Sequence, residues 1–365
     1  MRTLGDLRQR QALPLQAKIY MSQARIREWY DHFDGNVYIS FSGGKDSTVL
    51  AHLVHDLYPE VPLVFSNTGL EYPEIQAFAR KMGAEFVRPK MMFSEVISKY
   101  GYPIISKEVS KTIYCARLNG EKYKNERQRK TLLGKLRNGD EISRFNKGKW
   151  LSLSQETQFV INDRCCYHIK KKPLLDYQHK TKRFPFIATL AEESMLRTQA
   201  WLQHGCNAFE EKKKTSQPIS FWLEQDVLRY IKENGIEIAS IYGDIVGTDE
   251  NGFEYDPIPG CECNLKCTGC QRTGCIFCGY GKHLQKGETD FQRLAKTHPR
   301  QYEFCMNGGQ WVNNPNYDPA TQEYDGDWKN WNPKKIWVPS KEGLGMKYVF
   351  DQCNQIYGKD FIRYE

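Results

Sequence analysis

The chain has no apolar run approaching the roughly 18 residues that cross a bilayer, which excludes a membrane-spanning helix, and no membrane partner is expected. Its first ten residues lack the apolar stretch of a secretory leader, so the expected location is the cytoplasm. No G-x-x-x-x-G-K-S/T run occurs, which excludes a Walker-type phosphate loop. Internal repeats and low-complexity tracts are also missing. What remains is ordinary globular composition, 40% hydrophobic and 26% charged, over 365 residues. That length suffices for one large or two ordinary domains. Twelve cysteines in a reducing compartment point to metal or cluster binding rather than disulfides.

The most informative segment is Ser42-Gly43-Gly44-Lys45-Asp46-Ser47. It follows residues 37–41, a buried-strand pattern, and precedes residues 48–54, an apolar helix face. Glycines between a strand and a helix let backbone approach a phosphate, and the first helical turn supplies free N–H groups. Ser42 and Ser47 add hydroxyls and Lys45 a positive charge. Asp46 is expected to bond loop N–H groups and hold the turn.

Further along, residues 15–34 show the spacing of a leading amphipathic helix. Strands are expected at 61–65, 84–88 and 184–188, and helices at 73–82, 222–233 and 346–357. A helix is also expected to carry Glu192, Glu193, Ser194 and Arg197. This alternation predicts an α/β fold, a parallel sheet with helices on both faces, whose ligands bind at the carboxyl ends of the strands. The phosphate loop and Asn67-Thr68-Gly69 both fall at such ends. The linear partition reads as a leading helix (1–34), an α/β domain (35–245), a cysteine-rich segment (246–287) and a loop-heavy cap (288–365).

Net charge is +8, and residues 111–150 alone hold twelve Lys/Arg against four Asp/Glu. That stretch reads as a basic insertion. It is either a solvated surface or a contact for a polyanion, of which DNA or RNA such as tRNA is the commonest.

The loop resembles the S-G-G-x-D-S pyrophosphate loop of the adenine-nucleotide alpha-hydrolase superfamily, the ATP pyrophosphatases. Within that superfamily the chain resembles the phosphoadenosine phosphosulfate (PAPS) reductase family. Five blocks carry the likeness: Ser42–Ser47; Asn67-Thr68-Gly69-Leu70-Glu71-Tyr72-Pro73-Glu74; Cys165-Cys166 with Lys170-Lys171-Lys172-Pro173-Leu174; Glu192-Glu193-Ser194 with Arg197; and Arg272-Thr273-Gly274-Cys275-Ile276-Phe277-Cys278-Gly279. Together they cover roughly residues 35–285. The resemblance implies a Rossmann-like fold and a site for ATP with Mg²⁺. Two departures separate the chain from the true sulfonucleotide reductases. Its phosphate loop keeps the ATPase form, and the C-terminal Glu-Cys-Gly-(Leu/Ile)-His motif is missing, with Cys353 standing in Asp351-Gln352-Cys353-Asn354 instead.

The resemblance implies further that Cys165, Cys166, Cys275 and Cys278 hold a 4Fe–4S cluster, whose ligand count is four thiolates. Cys261, Cys263, Cys267 and Cys270 can hold a tetrahedral Zn²⁺, or Cys270 can replace one of the adjacent pair in a single site. Cys115, Cys206, Cys305 and Cys353 read as buried core thiols, and His168, His179 and His283 as ordinary polar residues. Lys45, Asp46 and Lys107 are the expected catalytic residues, with the lysines neutralising triphosphate charge. Glu71 and Glu192 are candidates for Mg²⁺ or plain helix-start acids. Arg197 pairs with Glu193 or binds phosphate. Trp311, Trp328, Trp331 and Trp337 belong to the cap core or stack on bases.

The expected function is ATP cleavage between the alpha and beta phosphates, adenylation of an acceptor, and sulfur transfer onto nucleic acid. DNA-phosphorothioation enzymes are the nearest analogy, and a cysteine desulfurase is the kind of sulfur donor implied. Reduction of a sulfonucleotide, ATP sulfurylase-like adenylation of sulfate, and a non-catalytic nucleotide- or nucleic-acid-binding module are the alternatives.

Overall fold

The computed structural model describes residues 2–118, 123–135, 146–210, 214–257 and 263–365. These fall into two compact units, each assembled from separate stretches of chain. The first comprises Met1–Pro89 and Lys170–Gly274; the second comprises Lys90–Ile169 and Cys275–Glu365. The linear partition therefore does not coincide with the units. The expected insertion at 111–150 is part of a longer excursion, and the leading helix is an integral part of the first unit.

The first unit is built on a six-stranded sheet. Its order is Glu85–Val87, Leu63–Ser66, Val37–Phe41, Phe184–Ile187, Thr215–Ser216 and Asn207–Ala208. The first five strands run parallel and the last is an antiparallel edge. Val37–Phe41 lies in the middle, so both of its faces are covered and it reads as a nearly continuous apolar run. On one side Tyr38 and Val64 pack against Tyr177 of helix Lys172–Thr181. Helix Lys45–His55 also packs on the central strand and buries Val49, Leu50, Leu53 and Val54. Each such side chain contributes roughly 1.5–3 kcal/mol of burial free energy.

Helix Leu15–His32 is held against helix Glu224–Glu233 by polar contacts inside the core. Lys18 Nζ meets Asp226 Oδ2 at 2.6 Å, and the Trp222 indole donates to Ser22 Oγ at 2.9 Å. A second, three-stranded antiparallel sheet in this unit orders Asn264–Cys267, Ile245–Thr248 and Glu254–Tyr255.

The second unit holds helices Phe93–Tyr100, Lys107–Arg117, Asp290–Thr297, Pro299–Met306 and Met346–Tyr357. It also contains a hairpin of Gln310–Asn313 with Lys335–Val338. The expected loop-heavy cap is thus a helical body with one ribbon. Its centre includes Arg117, whose guanidinium donates to the carbonyls of Leu153, Ser154, Thr157 and Phe159 and to Thr157 Oγ1. Trp331 covers the guanidinium at 4.5 Å. Burial pushes Arg117 down to about 9, still charged at neutral pH. Part of the basic run is therefore structural: Arg117 is buried, and Arg129 donates to the carbonyls of Ala116 and Leu118.

Most expected elements are present with shifted ends, at Leu15–His32, Leu63–Ser66, Pro73–Lys81, Glu85–Val87, Phe184–Ile187, Glu224–Glu233 and Met346–Tyr357. The helix expected around Glu192 begins later. Ala191–Glu193 is a 3-10 turn, and Ser194 caps helix Met195–His204 by accepting from Arg197 N. Serine favours this cap position because its hydroxyl meets an N–H that the helix leaves unpaired.

Candidate functional site

The phosphate loop connects the central strand to helix Lys45–His55 in the first unit. Gly43 has φ +70°, and a Cβ there would stand 2.8 Å from Ile75 Cγ2, so glycine is required twice over. Gly44 is extended and precedes the helix. The first intrahelical bond is Thr48 N to Gly44 O at 3.0 Å, which leaves the preceding N–H groups pointing out of the helix start.

The turn is held by serines. Ser42 N donates to Ser47 Oγ at 3.2 Å, Gly44 N to Ser42 Oγ at 3.3 Å, and Ser47 Oγ to Gly44 O at 2.9 Å. This corrects the role expected of Asp46, which makes none of these bonds. Burial raises the Asp46 carboxyl above its ordinary range, with Lys45 pulling it back and Glu224 adding to the rise.

A cavity of about 110 Å³ opens over the loop, lined by Ser42, Lys45, Asp46, Glu193, Glu224 and Arg272 among others. Its cations are already paired. Lys45 Nζ lies 3.1 Å from Glu224 Oε1 and over the Tyr242 ring. Arg197 and Arg272 both meet Glu193, the latter at 3.8 Å. Glu192 Oε1 accepts from Glu224 N at 2.6 Å, and burial raises its carboxyl. Of the residues lining the cavity, Asp46, Glu193 and Glu224 stand against Lys45 and Arg272, one more acid than base.

A neighbouring cavity of about 180 Å³ shares Ser42 and Thr273 with the first. Phe41, Phe65, Ile75 and Leu174 give it apolar walls, and Glu71 and Lys170 give it polar edges. Glu71 accepts from Thr68 N at 3.1 Å and from Thr68 Oγ1 at 2.6 Å. Gly69 N donates to Asn67 Oδ1 at 3.1 Å, and Gly69 sits at φ +75°. Glu71 thus braces the Asn67-Thr68-Gly69 turn. A larger cavity, about 610 Å³, lies among Ile231, Ile236, Ile245 and Val246 and contains none of the expected site residues.

The structure brings together Ser42–Ser47, Asn67–Gly69, Glu71, Glu192 and Arg197 in the first unit. Lys107 opens helix Lys107–Arg117 of the second unit, on an exposed position. Glu193, Glu224, Tyr242, Arg272 and Thr273 also line the cradle, although the sequence does not mark them as ligands. Glu193, Arg272 and Thr273 lie inside recognisable blocks, whereas Glu224 and Tyr242 carry no local signal.

The cysteines divide between the units. Cys165, Cys166, Cys275 and Cys278 all belong to the second. The Cys165 and Cys166 sulfurs are 3.9 Å apart, and Cys278 N donates to Cys275 O at 3.0 Å. The Cys165 thiol is raised by its bond with Cys166, then by burial, then by the Cys166, Cys278 and Cys275 sulfurs. Cys165 is buried and Cys166, Cys275 and Cys278 are half-buried, and four thiolates are the donor set of an iron–sulfur centre. In number and chemistry they fit it. They are not closed into a shell: among the described residues no three His, Cys, Asp or Glu side chains form a group that could hold a metal.

Cys263, Cys267 and Cys270 lie in the first unit, and Cys261 falls outside the described residues. Burial raises Cys267, whose neighbours include Lys45, Glu224 and Cys270. Cys115, Cys206, Cys305 and Cys353 are buried, as expected. Burial pushes Cys353 up to about 12. His168 stacks on Tyr100 and His283 on Phe361, and burial lowers both. His179 is exposed. No helix among the described residues is long and apolar enough to cross a membrane.

Residues 36–279 match the family model described as phosphoadenosine phosphosulfate reductase domain. Comparison with curated proteins finds no match. Among solved structures, the chain is similar to the phosphate complex of phosphoadenylyl-sulfate (PAPS) reductase from Candida auris. Identity is 13% and the TM-score 0.36, covering 66% of this chain and 91% of that one.

Proposed function

From the premise that this chain belongs to the phosphoadenosine phosphosulfate reductase domain family, we propose that it is an ATP pyrophosphatase that adenylates an acceptor and couples this to sulfur transfer onto nucleic acid. The observation that carries this reading is the acid excess in the cradle. A highly charged anion entering among Asp46, Glu193 and Glu224 requires a companion cation. Mg·ATP brings one; a metal-free sulfonucleotide does not.

In this reading the N–H groups ahead of helix Lys45–His55 and the Lys45 ammonium take the beta and gamma phosphates, and Glu224 releases Lys45 as they arrive. The base lies in the cavity walled by Phe41, Phe65 and Leu174. The acceptor oxygen attacks the alpha phosphorus. The bond from that phosphorus to the bridging oxygen breaks, and pyrophosphate leaves with the electron pair. The persulfide sulfur of a donor such as a cysteine desulfurase then attacks the adenylated atom, and AMP leaves with the electron pair of the broken bond. A second thiol cleaves the donor S–S bond, leaving sulfur on the acceptor and a disulfide on the donor side. The protein contributes positioning and charge neutralisation. Asp46 and Glu224 would hold the Mg²⁺ that travels with the nucleotide, which would supply positive charge there. Cys165, Cys166, Cys275 and Cys278 would hold a 4Fe–4S cluster, which supplies sulfur or redox chemistry when bound. Cys263, Cys267 and Cys270, with Cys261, are the residues for Zn²⁺.

A sulfonucleotide reductase needs a reactive thiolate. Cys353, fully buried and with its thiol pushed up to about 12, offers none, which favours the pyrophosphatase reading. The basic run at 111–150 supports nucleic acid as acceptor. The test is AMP and pyrophosphate release from alpha-labelled ATP, with and without Mg²⁺ and with and without DNA or tRNA. Mg-dependent AMP formation is expected; no AMP under any condition rejects the proposal.

A further inference from the structure

The late tryptophans divide in the structure. The Trp331 indole donates to Thr157 O at 2.9 Å, and the Trp337 indole to Gly345 O at 3.1 Å, so both are fixed by backbone within the second unit. The Trp328 side chain falls outside the described residues. Trp311 is different: it is 43% exposed.

Its position follows from strand register. Trp311 stands opposite Trp337, and Asn313 opposite Lys335. Opposed residues share a face and alternate residues return to it, so all four project from one side of the hairpin. The other side turns Ile336 and Val338 inward at 3% and 6% exposure. Trp337 and Tyr348 buttress Trp311 edge-on, with ring centres 5.6 and 5.5 Å away. Asn313 and Lys335 are exposed beside it. A large ring held upright by two others, open to solvent and flanked by a cation, has the form of a stacking platform. The unit that carries it has 28 Lys/Arg against 19 Asp/Glu, so its charge suits a polyanion.

We propose that the outer face of this hairpin binds single-stranded nucleic acid, an unpaired base stacking on Trp311 while Lys335 meets the adjoining phosphate. This rests on the nucleic-acid part of the proposed function and names the form the nucleic acid takes. Stacking tolerates any base, and its loss on alanine substitution weakens binding roughly 5- to 150-fold per base.

The experiment measures binding of the full-length protein to three probes by fluorescence anisotropy: a 12-nucleotide oligothymidylate, an abasic strand of equal length, and a duplex. Trp311→Ala is expected to weaken oligothymidylate binding by at least about 5-fold and to leave abasic-strand binding unchanged, with Trp311→Phe restoring most of the loss. Lys335→Ala is expected to lower the salt slope by about 0.7, the value for one phosphate on a single strand. Circular dichroism and thermal midpoints of the variants check that the fold is intact. Oligothymidylate affinity unchanged in Trp311→Ala overturns the platform while leaving the nucleic-acid reading standing. Failure of the wild-type protein to bind any of the three probes at low salt removes that reading and the platform with it. Quenching of Trp311 by a neutral oligosaccharide but not by oligothymidylate assigns the face to sugars and overturns the proposal.

Discussion

The unit that holds the phosphate loop carries 24 Lys/Arg against 25 Asp/Glu, and the other carries 28 against 19. The chain's entire positive excess thus belongs to the unit that does not hold the phosphate loop. In the first unit each cation of the cradle is matched by a carboxylate, so charge there is local and specific. In the second, charge is diffuse, and the buried cation Arg117 is met by carbonyl oxygens, a hydroxyl and an indole face rather than by an acid. On the proposed function the first body takes a small anion with its metal and the second a long one, so substitutions in the two are expected to affect different measurements.

The largest separation is expected from Lys45→Met. AMP formation should fall by about 10²–10³-fold, the usual effect of removing one group that stabilises developing charge. Oligonucleotide affinity should not change. A parallel loss of both would show that the two functions are not divided between the units.

Arg117→Met is expected to destabilise the second unit by about 3 kcal/mol or more, because several buried acceptors lose their donor at once. Hydrogen exchange should show protection falling in peptides of 90–169 and 275–365 while the phosphate-loop peptides hold. Equal loss in both sets would mean that the units unfold as one.

The counterpart in the first unit is Lys18→Met, which leaves Asp226 without its cation but still accepting from Leu223 N. The expected cost is about 1–3 kcal/mol, read as a shift in urea midpoint.

Smaller still is the effect of Lys111→Ala with Lys149→Ala, both exposed. Together they should lower the salt slope of single-strand binding by about 0.7 for each phosphate the lysines neutralise, and leave ATP turnover without nucleic acid unchanged.

The smallest effect on stability is expected from Asp46→Asn, and its sign is opposite to the others. Burial raises the folded-state Asp46 carboxyl above its unfolded value of 3.8. The folded protein therefore holds this proton more tightly, and stability falls as pH rises through the folded value. Above the folded value the buried carboxylate is a net cost. Asparagine removes it, so the thermal midpoint should rise while AMP formation is lost. A midpoint lowered at pH 7 but not at pH 4 would mean that the Asp46 charge holds the loop together.

Much of the first unit is legible in the sequence. Residues 37–41 announce a central strand by being apolar on both faces, and Gly43 marks a turn whose backbone only glycine fits. The acids at 192 and 193 suggest a helix start, but Ser194 provides the cap and the helix begins after it. The motif points to Asp46 for the work that Ser42 and Ser47 do, because a carboxylate and a hydroxyl are interchangeable in a motif but not in a buried turn. The second unit is less legible. Among its described residues, short helices, a hairpin and one two-residue parallel pair follow one another without the regular alternation that identifies a larger parallel sheet.

By itself the amino-acid order determined the phosphate loop and the alternating architecture around it, since each depends on neighbours within a few positions or on a repeating pattern of burial. Tertiary structure alone decided that Lys45 faces Glu224 across 179 residues, that Lys18 reaches Asp226, and that Trp311 stays outside while Trp331 turns in. Such pairings leave no periodic trace along the chain. They exist because separate elements, each folding for local reasons, bury their apolar faces together and bring distant polar groups within reach.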